Sequence, residues 1–168
     1  MHGRARLIDL GRPINTSSSV KAASYQMASF KLGIDAGDHL IVEINGRPDD
    51  SDDWLAATIS LRGGAFSATI NANLVTCDFP RFRSQLETLY QTLSGTALFD
   101  TMERQLQITC AGNDRGGILV DVVTRDQVAD GNELCFGFDI DQTFLPGVIA
   151  ELREIEAQFP NKIHPEFP

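Results

Sequence analysis

The sequence predicts an α+β domain: a mainly antiparallel β-sheet with two amphipathic helices packed on one face. Three observations carry that prediction. Apolar residues alternate with polar ones through seven short segments joined by turn-rich links, the pattern of half-buried antiparallel strands. The apolar spacing switches to three and four residues in two places, 79–93 and 144–155, the pattern of helices with one apolar face. The order of strands, helix, strands, helix lacks the strict strand–helix alternation that builds a parallel sheet.

Residues 1–26 read differently from the rest. Arg12-Pro13 and the run Asn15-Thr16-Ser17-Ser18-Ser19 sit in a polar stretch without hydrophobic period. A disordered or loosely attached basic leader is expected there. Met27 stands just before the first convincing strand pattern, so a mis-assigned start is one reading of the leader and a genuine basic arm the other. The single α+β domain is expected over 27–158, and 159–168, with three prolines, as an extended tail.

Within the domain, Phe30, Leu32 and Ile34 share one strand face, and Ala36-Gly37-Asp38 turns the chain. Leu40, Val42 and Ile44 line the next strand. Asn45-Gly46-Arg47-Pro48 leads into the acidic loop Asp49-Asp50-Ser51-Asp52-Asp53. Leu55, Ala57, Ile59 and Leu61 follow on one face, and Gly63-Gly64 signals a hairpin. The return strand sets Phe66, Ala68, Ile70, Ala72 and Leu74 against Ser67, Thr69, Asn71 and Asn73. Asp78 is the expected N-cap of the first helix, Pro80 is tolerated in its first turn, and Gly95 is its expected stop. Its apolar face holds Phe79, Phe82, Leu86, Leu89, Tyr90 and Leu93. Three more strands are expected around Leu106 to Cys110, Ile118 to Val122 and Leu134 to Ile140. The last helix follows, with Pro146 in its first turn and Asp141 as its cap.

Charge and cysteine content narrow the function. The net charge is −9, yet residues 1–31 carry +4, which leaves −13 on the remainder. An acidic body repels nucleic acid and anionic membrane and favours a basic protein partner. Three widely spaced cysteines, Cys77, Cys110 and Cys135, argue against a disulfide framework and against structural zinc, and suit a reducing cytoplasm. Cys110 and Cys135 lie in expected strands, as small core residues would. No apolar run reaches membrane-spanning length.

Catalytic signatures are missing. The acidic loop superficially suggests calcium, but counting from Asp49 the sixth and twelfth places hold Trp54 and Ser60 where an EF-hand needs Gly and Glu. No metal and no cofactor are expected. The loop is better read as a solvated or partner-binding surface made of Asp49, Asp50, Asp52 and Asp53, with Trp54 beside it as an anchor. A second reading makes Ser67, Thr69, Asn71 and Asn73 a ligand-binding row on the polar sheet face, taking a sugar or nucleotide or supporting weak hydrolysis. Asp139 and Asp141 form a carboxylate pair that Asp141's capping role accounts for more simply.

Several short motifs, in order along the chain, carry a resemblance. They are Asp53-Trp54-Leu55, Gly64-Ala65-Phe66-Ser67, the helix with Phe79, Phe82, Leu86 and Leu89, Leu93-Ser94-Gly95-Thr96-Ala97, and Glu103 with Leu106. Gly116-Gly117-Ile118 and Phe136-Gly137-Phe138-Asp139-Ile140-Asp141-Gln142-Thr143 complete the set. From Met27 to Gln158 the chain resembles the WapI-type immunity proteins and their uncharacterised bacterial relatives. The resemblance implies a non-enzymatic binding protein that neutralises a cognate secreted toxin in the producing cell. It carries no site residues with it. Homo-oligomerisation through a sheet edge is a further expectation.

Overall fold

The computed structural model describes residues 27–162; the expected leader at 1–26 and tail positions 163–168 lie outside the described residues. The chain is an α+β fold of two antiparallel four-stranded sheets and two helices. Strands β1 (Ser29–Gly33), β2 (His39–Gly46), β3 (Trp54–Gly63) and β4 (Phe66–Val75) pair in sequence order. Helix α1 (Asp78–Thr92) follows. Strands β5 (Ser94–Asp100), β6 (Leu106–Asn113), β7 (Gly117–Arg125) and β8 (Glu133–Asp141) form the second sheet, also in sequence order. A single 3-10 turn, Gln142–Phe144, leads into α2 (Leu145–Gln158).

The split into two sheets differs from the single sheet expected. Helix α1 carries the chain away from β4, and β5 pairs with β6 rather than returning to the first sheet. Strand β5 has no counterpart among the expected elements. Its first half, Ser94 to Thr96, is exposed on both faces, so only Ala97 and Phe99 give an inward period. The helices pack on each other, α1 also against β5 and α2 against β1, so they bridge the sheets rather than lie together on one of them.

Alternation fixes the buried faces elsewhere. Leu40, Val42 and Ile44, then Leu55, Ala57, Ile59 and Leu61, then Ile70, Ala72 and Leu74 point inward from β2, β3 and β4. They join the buried residues of the second sheet and of both helices in one continuous core. A phenylalanine quartet ties the layers together. Phe30 of β1 meets Phe82 of α1 at 6.2 Å and Phe99 of β5 at 5.9 Å between ring centroids, and Phe79 and Phe82 lie 5.5 and 5.4 Å from Phe99. Tilted and edge-on rings at these separations are the favoured aromatic arrangement.

Several local expectations are corrected, among them Tyr90, which is 44% exposed rather than on the inward face of α1. Ile34 and Phe66 are exposed rather than inward, because β1 ends at Gly33, where φ is 93°, and Phe66 sits at the hairpin mouth opposite Gly63. Asp78 is the first residue of α1, with Cys77 in the cap position and no side-chain cap bond. The helix ends on Leu93, left-handed at φ 58°, whose N–H donates to Leu89 O at 2.8 Å; Gly95 already belongs to β5. Cys135 is exposed on β8, whose odd residues face outward, whereas Cys110 is buried as expected.

Candidate functional site

The acidic loop between β2 and β3 is built around a buried ion pair. Arg47 Nη1 lies 3.1 Å from Asp53 Oδ1, and the two side chains are only 5% and 8% exposed. The same guanidinium donates to the carbonyls of Asp52 and Pro160, the latter at 2.6 Å. Asp53 Oδ1 also accepts the backbone N–H of Lys162 at 2.8 Å. Two strands' ends and the segment after α2 are thereby tied through one carboxylate.

The other aspartates divide by task. Asp49 Oδ1 accepts from the Ser51 N–H at 2.8 Å and the Ser51 hydroxyl at 2.7 Å, which holds its carboxyl below the usual carboxylate range. Asp52 Oδ1 accepts the Trp54 N–H at 2.9 Å. Asp50 is 95% exposed and contacts Lys162 Nζ at 3.3 Å. Trp54 is half-buried on the outer face of β3, opposite Val75. So the structure brings Asp49, Asp50, Asp52, Asp53 and Trp54 together, with Asp53 inside and Asp50 outermost.

The polar row stands on the outer face of β4. Ser67, Thr69, Asn71 and Asn73 are all exposed, opposite Arg62, Ser60, Thr58 and Ala56 of β3. Asn45 Nδ2 donates to Thr58 Oγ1 at 3.0 Å, and the Thr58 hydroxyl reaches Asn71 Oδ1 at 3.5 Å, so a side-chain ladder spans three strands. Trp54 shares this face one residue pair away from Asn73.

The β4–α1 junction holds Asp78, which the sequence marks only as a helix cap. Asp78 is buried, pairs with Arg81 at 3.1 Å through one oxygen, and keeps its other oxygen without a hydrogen-bond partner, as does the buried Thr76 hydroxyl. Burial pushes the Asp78 carboxyl up to about 6 against the pull of Arg81. At the far end of the second sheet, Asp141 Oδ1 accepts the Thr143 N–H at 2.9 Å, capping the 3-10 turn before α2. Asp139 is exposed one strand position pair away.

A further feature was invisible in sequence because its parts are about a hundred positions apart. An open groove of about 810 Å³ runs between the β1–β2 turn and β8, lined by Ile34, Asp38, Phe138, Asp139, Asp141 and Phe144 among others, and none of the described residues in its walls is a lysine or arginine. Among the described residues no three His, Cys, Asp or Glu side chains come together to hold a metal ion. No described helix is long and apolar enough to cross a membrane.

Compared with known families, residues 31–160 match the model of the immunity protein WapI-like family. The match runs from within β1 to just past α2, and so takes in both sheets and both helices. No curated protein matches the chain.

Proposed function

The chain belongs to the WapI-like immunity protein family, and on that premise we propose that it is a non-enzymatic cytoplasmic protein that binds and neutralises a cognate bacterial toxin. The observation that carries the reading is the family match across the whole sheet-and-helix body. The net charge of −9 supports a basic toxin surface as the partner. Opposite fields speed encounter and suppress wrong partners. Within the acidic loop, Asp49, Asp52 and Asp53 hold the loop's own shape and Asp50 pairs with Lys162, which leaves Trp54 as the loop's outward feature.

The test is binding of the full chain to the toxin domain encoded beside its gene. An equimolar complex that abolishes toxin activity is expected, with an association rate that falls about tenfold or more as salt rises past the screening regime. Absence of a complex removes the reading. Tight binding indifferent to salt leaves the immunity role standing and removes the electrostatic part.

A further inference from the structure

Each four-stranded sheet has two edges, and an edge strand offers a row of N–H and C=O groups that another chain can pair with. Three of the four edges carry a specific block. On β1, the outward N–H of Lys31 donates to Glu151 Oε2 of α2 at 2.9 Å. On β4, the Gln105 side chain accepts from Asn73 N and donates to Asn71 O, both at 3.4 Å. On β5, the Leu98 N–H donates to Gln85 Oε1 of α1 at 2.6 Å. Among the described residues no side chain bonds to the outward groups of β8, which faces β1 and β3 of the first sheet across the groove.

The register says which β8 groups are free. Gln142 N donates to Gly116 O at 2.8 Å and Asp126 N to Asn132 O at 3.2 Å, continuing the β7–β8 pairing at its two ends. In an antiparallel ladder, bonded and non-bonded pairs alternate. Even-numbered residues of β8 therefore bond to β7, and the odd-numbered Cys135, Gly137 and Asp139 turn their N–H and C=O groups outward. The groove lies along 137–141 of this edge. Its far wall presents Ile34, 53% exposed, and its rim carries the carboxylates of Asp38, Asp139 and Asp141.

We propose that the free edge of β8 is a docking strand for an extended, basic segment of the toxin, which would add a fifth strand to the second sheet. Main-chain bonds supply the pairing and the pockets beside alternate side chains supply selectivity, as in strand addition generally. The segment's apolar side chains enter between Ile34 and Phe144, and its lysines or arginines meet the rim carboxylates. The acidic rim, unrelieved by any lysine or arginine among the described residues of the groove walls, selects a basic segment over a neutral one. This inference rests on the immunity reading above and adds the location and strand geometry of the contact.

The test uses the full chain and the adjacent toxin domain. Asp139→Pro removes an outward N–H while leaving the β7 ladder intact, since edge strands accept proline; Asp139→Asn removes the charge alone. We expect Asp139→Pro to weaken toxin binding at least tenfold, Asp139→Asn to weaken it severalfold with a shallower salt dependence, and an Asp49→Asn/Asp50→Asn control to bind within twofold of the parent. Amide hydrogen exchange supplies a readout independent of any substitution. The N–H groups of residues 135, 137 and 139 should exchange fast in the free protein and slow on toxin binding. Binding without that protection, or an Asp139→Pro variant that melts normally and binds fully, overturns the strand proposal while the immunity reading stands. Protection already present in the free protein overturns it too: lost on dilution, it marks a second copy as the occupant; independent of concentration, another segment of this chain. No binding by the parent chain instead removes the immunity reading and this proposal with it.

Discussion

At one end of the first sheet four aspartates crowd into the loop that opens β3; around the turn at its other end three aspartates gather at the β8 groove from places distant in sequence. The two regions carry similar charge and use it differently. In the loop, Asp49 and Asp52 accept bonds from backbone two residues on, Asp53 is buried against Arg47, and Asp50 meets Lys162. In the groove, Asp38 accepts the Gly64 N–H and Asp141 caps a turn through one oxygen each, and Asp139 stands exposed beside a free strand edge. Neighbouring acids on a tight loop satisfy themselves locally, because short carboxylates reach backbone N–H groups two residues away. In the groove Asp141 makes the same local bond to Thr143 and Asp38 one to Gly64, but Asp139 accepts none among the described residues, so more carboxylate remains available there to a partner.

The largest effect that would break this comparison lies at Arg47. If the loop is structural at heart, Arg47→Ala should destabilise the protein by about 3–5 kcal/mol, because it takes the guanidinium away from a buried carboxylate. It would also release the Pro160 carbonyl and with it one tie to the segment after α2. Denaturant unfolding measures the loss. A cost below about 1 kcal/mol would mean that solvent reaches the pair freely and that the loop resembles the groove after all.

The core between the two regions sets the scale for that number. Leu86 is fully buried on α1, and Leu86→Ala should cost about 2–5 kcal/mol through lost burial and the cavity left behind. An unfolding midpoint within error of the parent would show that the α1 face is packed loosely.

How much of this was legible in the sequence follows from range. Strands β2 and β3, most of β4 and of the inward faces of both helices, and the hairpin at Gly63-Gly64 follow from spacings of two, three and four residues, with Phe66 and Tyr90 the exposed exceptions. Strand β5 escaped because half of it buries nothing, and the end of α1 escaped because Leu93, a non-glycine two residues before Gly95, takes the left-handed conformation that ends the helix. The loop was recognisable as a cluster, but not that Asp53 would be its buried member, since Arg47 and Lys162 complete it from either side. The groove and the blocked edges depend on pairs such as Lys31 with Glu151, and no local period encodes those.

A smaller effect separates the loop from the β4–α1 junction by the sign of its pH dependence. Burial holds the Asp78 carboxyl protonated up to about 6 in the folded protein, against an ordinary value near 3.8 in the unfolded chain. The folded state thus binds more protons between these values. This stabilising contribution is complete below pH about 4 and is lost as pH rises through about 6. Asp49 has the opposite sign, since its lowered carboxyl favours the folded state above the ordinary value and loses that advantage in acid. Asp78→Asn should therefore gain stability relative to the parent by about 1–3 kcal/mol between pH 4 and pH 7. Parallel unfolding curves at pH 4, 5, 6 and 7 read it. A parent–variant difference that stays flat with pH would place the Asp78 carboxyl at its ordinary value.

The smallest expected effect sharpens the comparison most. Asp50 and Asp139 are both exposed, and neither belongs to the core. Substituting either with Asn should change stability by no more than about 0.5 kcal/mol, since exposed charges contribute little to folding. Their consequences should part on binding. Asp50 stands in the loop at the opposite end of β2 from the groove, so neutralising it changes the field at the β8 edge little. Asp139 has no ion-pair partner among the described residues, stands on the unblocked edge, and lines a groove whose described walls hold no lysine or arginine. Toxin association measured at low salt should accordingly fall for Asp139→Asn and hold for Asp50→Asn, with the two rates converging as salt screens the field. The reverse ranking would make the loop, not the β8 edge, the surface that the partner meets first.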